Sequence, residues 1–157
     1  MNTTSLVIQL DAWAREELAG QKALSATLAE QERAVSANDA AALAEAAQKV
    51  EALLKRGPAR ERRRRELLGR LGEAFGVQPE TLTLTSILER AASEGVAVEG
   101  LRSVRDELRK ESALVLRTGR RIAALARYHQ AFLAEVLRIL APAEDESSQP
   151  VLFDARG

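Results

Sequence analysis

His129 is the only histidine of the chain, and cysteine is absent. A zinc site needs three or four nitrogen, sulfur or carboxylate ligands, and a di-iron helical bundle needs Glu-x-x-His pairs from two helices, so one imidazole supplies neither. Glycines stand singly at breaks and never form the Gly-rich turn that cradles phosphate. The glutamates lie beside arginines and lysines at helical spacing, which is the pattern of surface ion pairs and not of an acid and base pair. The residues therefore predict no catalytic site, no metal, no cofactor and no enzyme. His129 falls on an apolar seam, where it reads as a packed or rim side chain.

The strongest charge signal is "PARERRRREL" at 58–67, with five arginines between Arg60 and Arg65. A nucleic-acid grip gathers its cations on one face, interleaves aromatic residues and carries a basic surplus. Here 23 basic residues balance 23 acidic ones, and no aromatic residue lies between Trp13 and Phe75. At about 100° per residue, the stripe Leu67, Leu68, Leu71 and Phe75 projects back onto Arg60 and Arg64. Arg62, Arg63 and Arg65 fan over the flanks. The run therefore reads as a charged helix whose Arg60 and Arg64 snorkel or pair across a seam, with no nucleic acid as partner.

The elements that carry these residues are helices. Ala (29), Leu (23), Lys plus Arg (23) and Glu (18) fill 93 of 157 positions, and aromatic residues make up 3%. Such a core must be built from Leu, Val, Ile and Ala meeting along helix seams. The first helix is predicted to follow the cap candidates "NTTS", with Leu6, Leu10, Trp13, Leu24, Leu28 and Val35 in a narrow, interrupted stripe. Such a stripe packs along one edge and leaves water on the rest. "SAND" at 36–39 turns the chain into an antiparallel second helix, and Gly57–Pro58 breaks or kinks it before the arginine run. Thr83 is placed to cap a short helix between two breaks.

The final helix has the clearest period. Leu101, Val104, Leu108, Glu111, Val115, Thr118, Ile122, Leu125, His129, Phe132, Val136 and Ile139 follow alternating steps of three and four. A second apolar edge, Leu133, Leu137 and Leu140, appears only near the C-terminal end, which is wider than one neighbouring helix needs. From Pro142 the acidic, turn-rich "PAEDESSQP" reads as a disordered tail, closed by "VLFDARG". The predicted fold is all-α: an elongated antiparallel helical bundle or coiled coil over 1–141, one long C-terminal helix, and a flexible tail over 142–157 with a terminal apolar motif. No stretch approaches the roughly 20 apolar residues of a membrane span, and no signal-peptide core is present, so membrane insertion is not expected and a cytoplasmic protein is. Helix faces bind helices, and function by binding is what the residues support.

Four stretches together resemble the FlgN-type flagellar export chaperones: "LSATLAEQERAVSANDAAALAEAAQKVEALL" (24–54), "RERRRRELLGRLG" (60–72), "LRSVRDELRKESALVLRTGRRIAALARYHQAFLAEVLRIL" (101–140) and "VLFDARG" (151–157). The family often has Asn where Thr118 and His129 stand and Tyr where Phe153 stands, and its second helix is unbroken where this chain has Gly57–Pro58. The resemblance implies a chaperone that keeps hook-associated (hook-filament junction) proteins soluble and delivers them to the flagellar type III export gate. Joined to the widened face, it assigns cargo binding to Leu125, Phe132, Val136, Leu137 and Leu140, and gate binding to Leu152 and Phe153. The alternatives left by the residues alone are a coiled-coil adaptor or homo-oligomeric structural protein without an export role and, more distantly, a nucleoid-associated helical protein.

Overall fold

The computed structural model describes residues 2–140. Five α-helices follow one another: α1 (Thr3–Ser36), α2 (Ala40–Leu54), α3 (Gly57–Phe75), α4 (Leu84–Ser93) and α5 (Glu99–Leu140), with one 3-10 turn at Pro79–Thr81. No strand occurs among the described residues. Local chemistry sets the boundaries. The Asn2 side chain accepts from the Thr4 amide at 3.1 Å to start α1, and Asp39 accepts from the Ala42 amide at 3.0 Å to start α2. Thr83 and Ser86 form a reciprocal capping box on α4. Between α1 and α2 the chain reverses through Asn38, whose φ of 53° lies in the left-handed region that asparagine tolerates better than most residues.

The Gly57–Pro58 step is a kink and not a loop. The Lys55 amide still donates to the Glu51 carbonyl and the Arg56 amide tightens onto the Leu53 carbonyl, both with right-handed dihedrals, and Pro58 sits in the first turn of α3 where its missing amide costs least. α2 and α3 thus form one bent leg that runs antiparallel to α1. Its pairs along α1 are Lys49 with Glu30, Arg63 with Glu16 and Arg70 with Gln9. α4 then carries the chain across the base of the bundle, and α5 climbs parallel to α1, with Lys22 meeting Glu107 and Glu32 meeting Arg121. α5 begins at Glu99, two residues before the predicted Leu101, because Val98 is already buried and its carbonyl accepts from the Arg102 amide at 2.9 Å.

The core lies at that base. Leu6, Val7, Leu10, Trp13, Ala14 and Leu18 of α1 meet Leu67 and Leu71 of α3, Ile87, Leu88 and Ala91 of α4, and Leu101, Val104 and Leu108 of α5. α1 touches every other α-helix. Part of the expectation stands, since Ile8, Ala12, Arg15, Ala19 and Ala26 form a water-facing strip, but the packed side is wider than one edge: α1 is the central strut between α2–α3 and α5. Its interrupted leucine stripe hid this because Val7, Ala14 and Ala34 complete the buried surface, and small side chains let neighbours approach from two sides.

The arginine run faces carboxylates. Arg63 Nη1 donates to both carboxylate oxygens of Glu16 of α1, at 2.8 and 3.0 Å, and Arg64 and Arg65 reach Glu61 on their own helix at 2.8 and 3.4 Å. The Arg64 hydrogen bond holds the Glu61 carboxyl below its usual range. Arg60 is half-buried, with Nε 3.2 Å from Glu17 in an ion pair that lacks hydrogen-bond alignment. Its guanidinium lies over Gly20, where a Cβ would come within 2.1 Å of Nη1. The Trp13 indole donates to the Arg60 carbonyl at 3.1 Å, fastening the first turn of α3 to α1 just past the kink.

At the other end of α3 the backbone folds onto the helix. Gly76 takes φ of 65°, and the Val77 amide donates to the Gly72 carbonyl at 2.9 Å. A Cβ on the buried Gly72 would lie 2.8 Å from the Val77 carbonyl oxygen and 3.1 Å from Pro79, whereas one on Gly69 would meet nothing within 4 Å. Gly72→Ala is therefore expected to lower stability in urea by about 1–3 kcal/mol, as overpacking against backbone does. Gly69→Ala on the same helix should be neutral or stabilise by up to about 1 kcal/mol. Equal midpoints for the two variants would contradict the close approach.

Candidate partner-binding face

α5 has 42 residues and is about 63 Å long at 1.5 Å per residue. Its attachment to α1 changes along that length. At the base, Leu101, Val104 and Leu108 are buried, and Thr118 is the last fully buried position of the seam, its hydroxyl accepting from Arg121 at 3.4 Å. Two ion pairs clamp the parallel helices: Lys22 to Glu107 at 2.9 Å and Arg121 to Glu32 at 2.7 Å. The hydrogen bond from Lys22 holds the Glu107 carboxyl below the ordinary glutamate range, and the same bond raises the lysine.

Beyond Arg121 the neighbour runs out. α1 ends four residues after Glu32, while α5 continues for nineteen after Arg121, so it outreaches α1 by about fifteen residues, roughly 22 Å. The turn at Asn38 is the last part of the α1–α2 leg to reach it. There Asn38, Tyr128, His129, Phe132 and Leu133 line a groove of about 300 Å³. The His129 ring is half-buried and stands edge-on to Tyr128, with centroids 6.1 Å apart.

The helical wheel resolves the free end into three strips. Leu125, His129 and Val136 form a half-buried centre line. Tyr128, Phe132 and Ile139 flank it on one side and Leu133, Leu137 and Leu140 on the other, and all six are exposed. At about 100° per residue the face spans roughly 180°, where a helix packed on one neighbour needs about 100°. The predicted cargo residues divide accordingly: Phe132, Leu137 and Leu140 are 60%, 67% and 71% exposed, whereas Leu125 and Val136 are half-buried. Tyr128, Leu133 and Ile139 belong to the same face and are not among the predicted cargo residues, although Leu133 and Ile139 belong to the predicted apolar pattern. Their signal was spacing, since Tyr128 stands four residues before Phe132 and Ile139 seven after it. Leu152 and Phe153, the predicted gate-binding pair, lie outside the described residues.

Among the described residues, no group of three histidines or acids is placed to hold a metal ion, and no helix is long and apolar enough to cross a membrane. What the face offers is apolar area rimmed by charge, notably Arg138 bonded to Glu135 at 2.6 and 3.0 Å. Fully burying a leucine or phenylalanine contributes about 1.5–3 kcal/mol, and contiguous exposed patches of such residues mark interaction sites.

Compared with known families, residues 2–151 match the model described as FlgN protein. No curated protein and no solved structure shows significant similarity to the chain.

The Lys22–Glu107 clamp on the lower part of α5 has a pH signature. Because the folded Glu107 carboxyl titrates below its unfolded value, its contribution is present above about pH 4.3 and is lost as pH falls through the lower folded value. Glu107→Gln is expected to lose less stability than the parent between pH 6 and pH 3, by a small margin because the pair is exposed. Parallel urea midpoints for the two proteins across that range would contradict the clamp.

Proposed function

The chain belongs to the FlgN family of flagellar chaperones, and from that premise we propose that the free end of α5 is where it holds its cargo. The cargo is a hook-associated protein, and the part held is a helical segment at its C-terminus. Such a segment lays its own apolar stripe along Phe132, Val136, Leu137 and Leu140, with Leu125 at the inner end. This is recognition of a helix by a helical face, in which residues at three-four spacing act as anchors. The single observation that carries the reading is the apolar surface left exposed where α5 outlasts α1.

Covering the cargo's apolar stripe keeps it from assembling before export, which places the chaperone's work in the cytoplasm. Delivery falls to the C-terminal motif. Leu152 and Phe153 end a segment rich in acid and turn residues, and Phe153 is the anchor that inserts into the type III export gate. Phenylalanine lacks the hydroxyl of tyrosine, so affinity at that site comes from burying the ring. The function is binding and transfer, without catalysis.

A second use of the same face, pairing with another copy as in a homo-oligomeric coil, is favoured by the heptad spacing that continues to Ile139. The two readings part in a binding experiment. Leu137→Asp is expected to weaken binding to a hook-associated protein by at least ~10-fold, the loss of about 1.4 kcal/mol or more, with helicity unchanged in circular dichroism. Deleting residues 150–157 should leave cargo binding intact and reduce binding of the loaded complex to the export gate. Unchanged cargo binding by Leu137→Asp, together with its loss of self-association in sedimentation, would favour the structural coil.

A further inference from the structure

α2 is held differently from every other helix. Its fifteen residues bury a single side chain, Ala46, whereas the ten residues of α4 bury Ile87, Leu88 and Ala91. Leu43, Val50 and Leu53 are half-buried and Leu54 is exposed. Its boundary with α1 is open to solvent at both ends. A solvent-open groove of about 330 Å³ runs along α1 and α2 beside Ala34, Ala42 and Ala46, and another of about 370 Å³ lies at the kink beside Leu24, Leu53 and Leu54. The ion pair from Lys49 to Glu30 spans the boundary at 3.1 Å with both side chains close to half exposed, a class of contact worth little.

Yet α2 has reasons of its own to be helical. Seven of its fifteen residues are alanine, Asp39 caps it, and Lys49–Glu45 and Lys55–Glu51 are ion pairs at helical spacing. Its ends are also built to bend. One is the left-handed Asn38, and the other is the pair Lys55–Arg56 followed by Gly57, where a side chain would meet nothing within 4 Å. Past that hinge the leg is fastened again, by the Trp13 indole on the Arg60 carbonyl and by Leu67 and Leu71 in the core.

We propose that α2 is a hinged strap, which swings off α1 between Asn38 and Gly57 while α1, α3, α4 and the base of α5 stay folded. Opening uncovers Leu24 and Ala34, two of the α1 residues that line the grooves. The motion costs the burial of Ala46 and Ala34, a few half-buried apolar side chains and one exposed ion pair, while the core around Leu10, Leu71 and Ile87 stays covered, so it lies below global unfolding on the free-energy scale. This holds whether or not α5 carries cargo.

Native-state hydrogen exchange on the full chain, read by mass spectrometry across a series of urea concentrations, tests it. Peptides within 40–54 should exchange at least ~10-fold faster than those within 6–18 and 101–108, with a much weaker urea dependence. Ala46→Asp should accelerate 40–54 by a further ~10-fold and leave the other two regions within about 3-fold of the parent. Equal rates and equal urea dependence in all three regions would overturn the proposal. So would an Ala46→Asp variant that accelerates them all alike or fails to fold, since α2 would then belong to the one cooperative unit.

Discussion

α1 is the helix on which all the others pack, and it stops about fifteen residues short of the helix it runs beside. Both halves of that constraint matter. Because α2, α3, α4 and α5 each need α1, the core gathers where four of the five helices meet, around Leu10, Leu71, Ile87 and Leu101. Because α1 ends at Ser36, the apolar period of α5 continues past the last surface that could bury it. The exposed edges at Tyr128–Ile139 and Leu133–Leu140 follow from a length mismatch between two parallel helices, and no irregularity of α5 is required.

The arginine run belongs to the same logic. A chain with few aromatic residues has little bulk to hold a bent leg against its strut, and charge does part of that work. Arg63 reaches Glu16, and Arg60 fits beside Glu17 only because Gly20 leaves room for its guanidinium. Trp13, the single tryptophan, donates its indole proton at the same junction. Below it the leg is packed by Leu67 and Leu71; above it, past the kink, α2 has only Ala46 buried. The bundle is thus tight at its base and loosens toward the end where α5 stands free.

Much of this was legible in the residue order. The three-four spacing located α5, Asp39 and Thr83 marked helix starts, and Pro58 marked the kink. The backward projection of the Leu67–Phe75 stripe landed on Arg60 and Arg64, the two half-buried arginines of the run, of which Arg60 faces Glu17 of α1 and Arg64 pairs with Glu61 on its own helix. What spacing could not supply was direction and depth. Whether α5 runs with or against α1 depends on how α4 crosses the base, and α1 reads as a thin stripe until alanines are counted as contact surface. The widened apolar edge at Leu133, Leu137 and Leu140 was visible, yet the half-burial of Leu125 and Val136 depends on where α1 and α2 end in space. Periodicity names a face; only the neighbours decide how much of it remains.

The claim that this remaining face receives the cargo is tested most directly by mapping where a cargo segment lands. Adding the C-terminal segment of a hook-associated protein to the full chain and following backbone amides by NMR should perturb 125–140 strongly and leave the base around Leu6, Leu71 and Leu101 unmoved. Perturbation confined to α2 and α3, or none along 125–140 at saturating segment, would contradict the account.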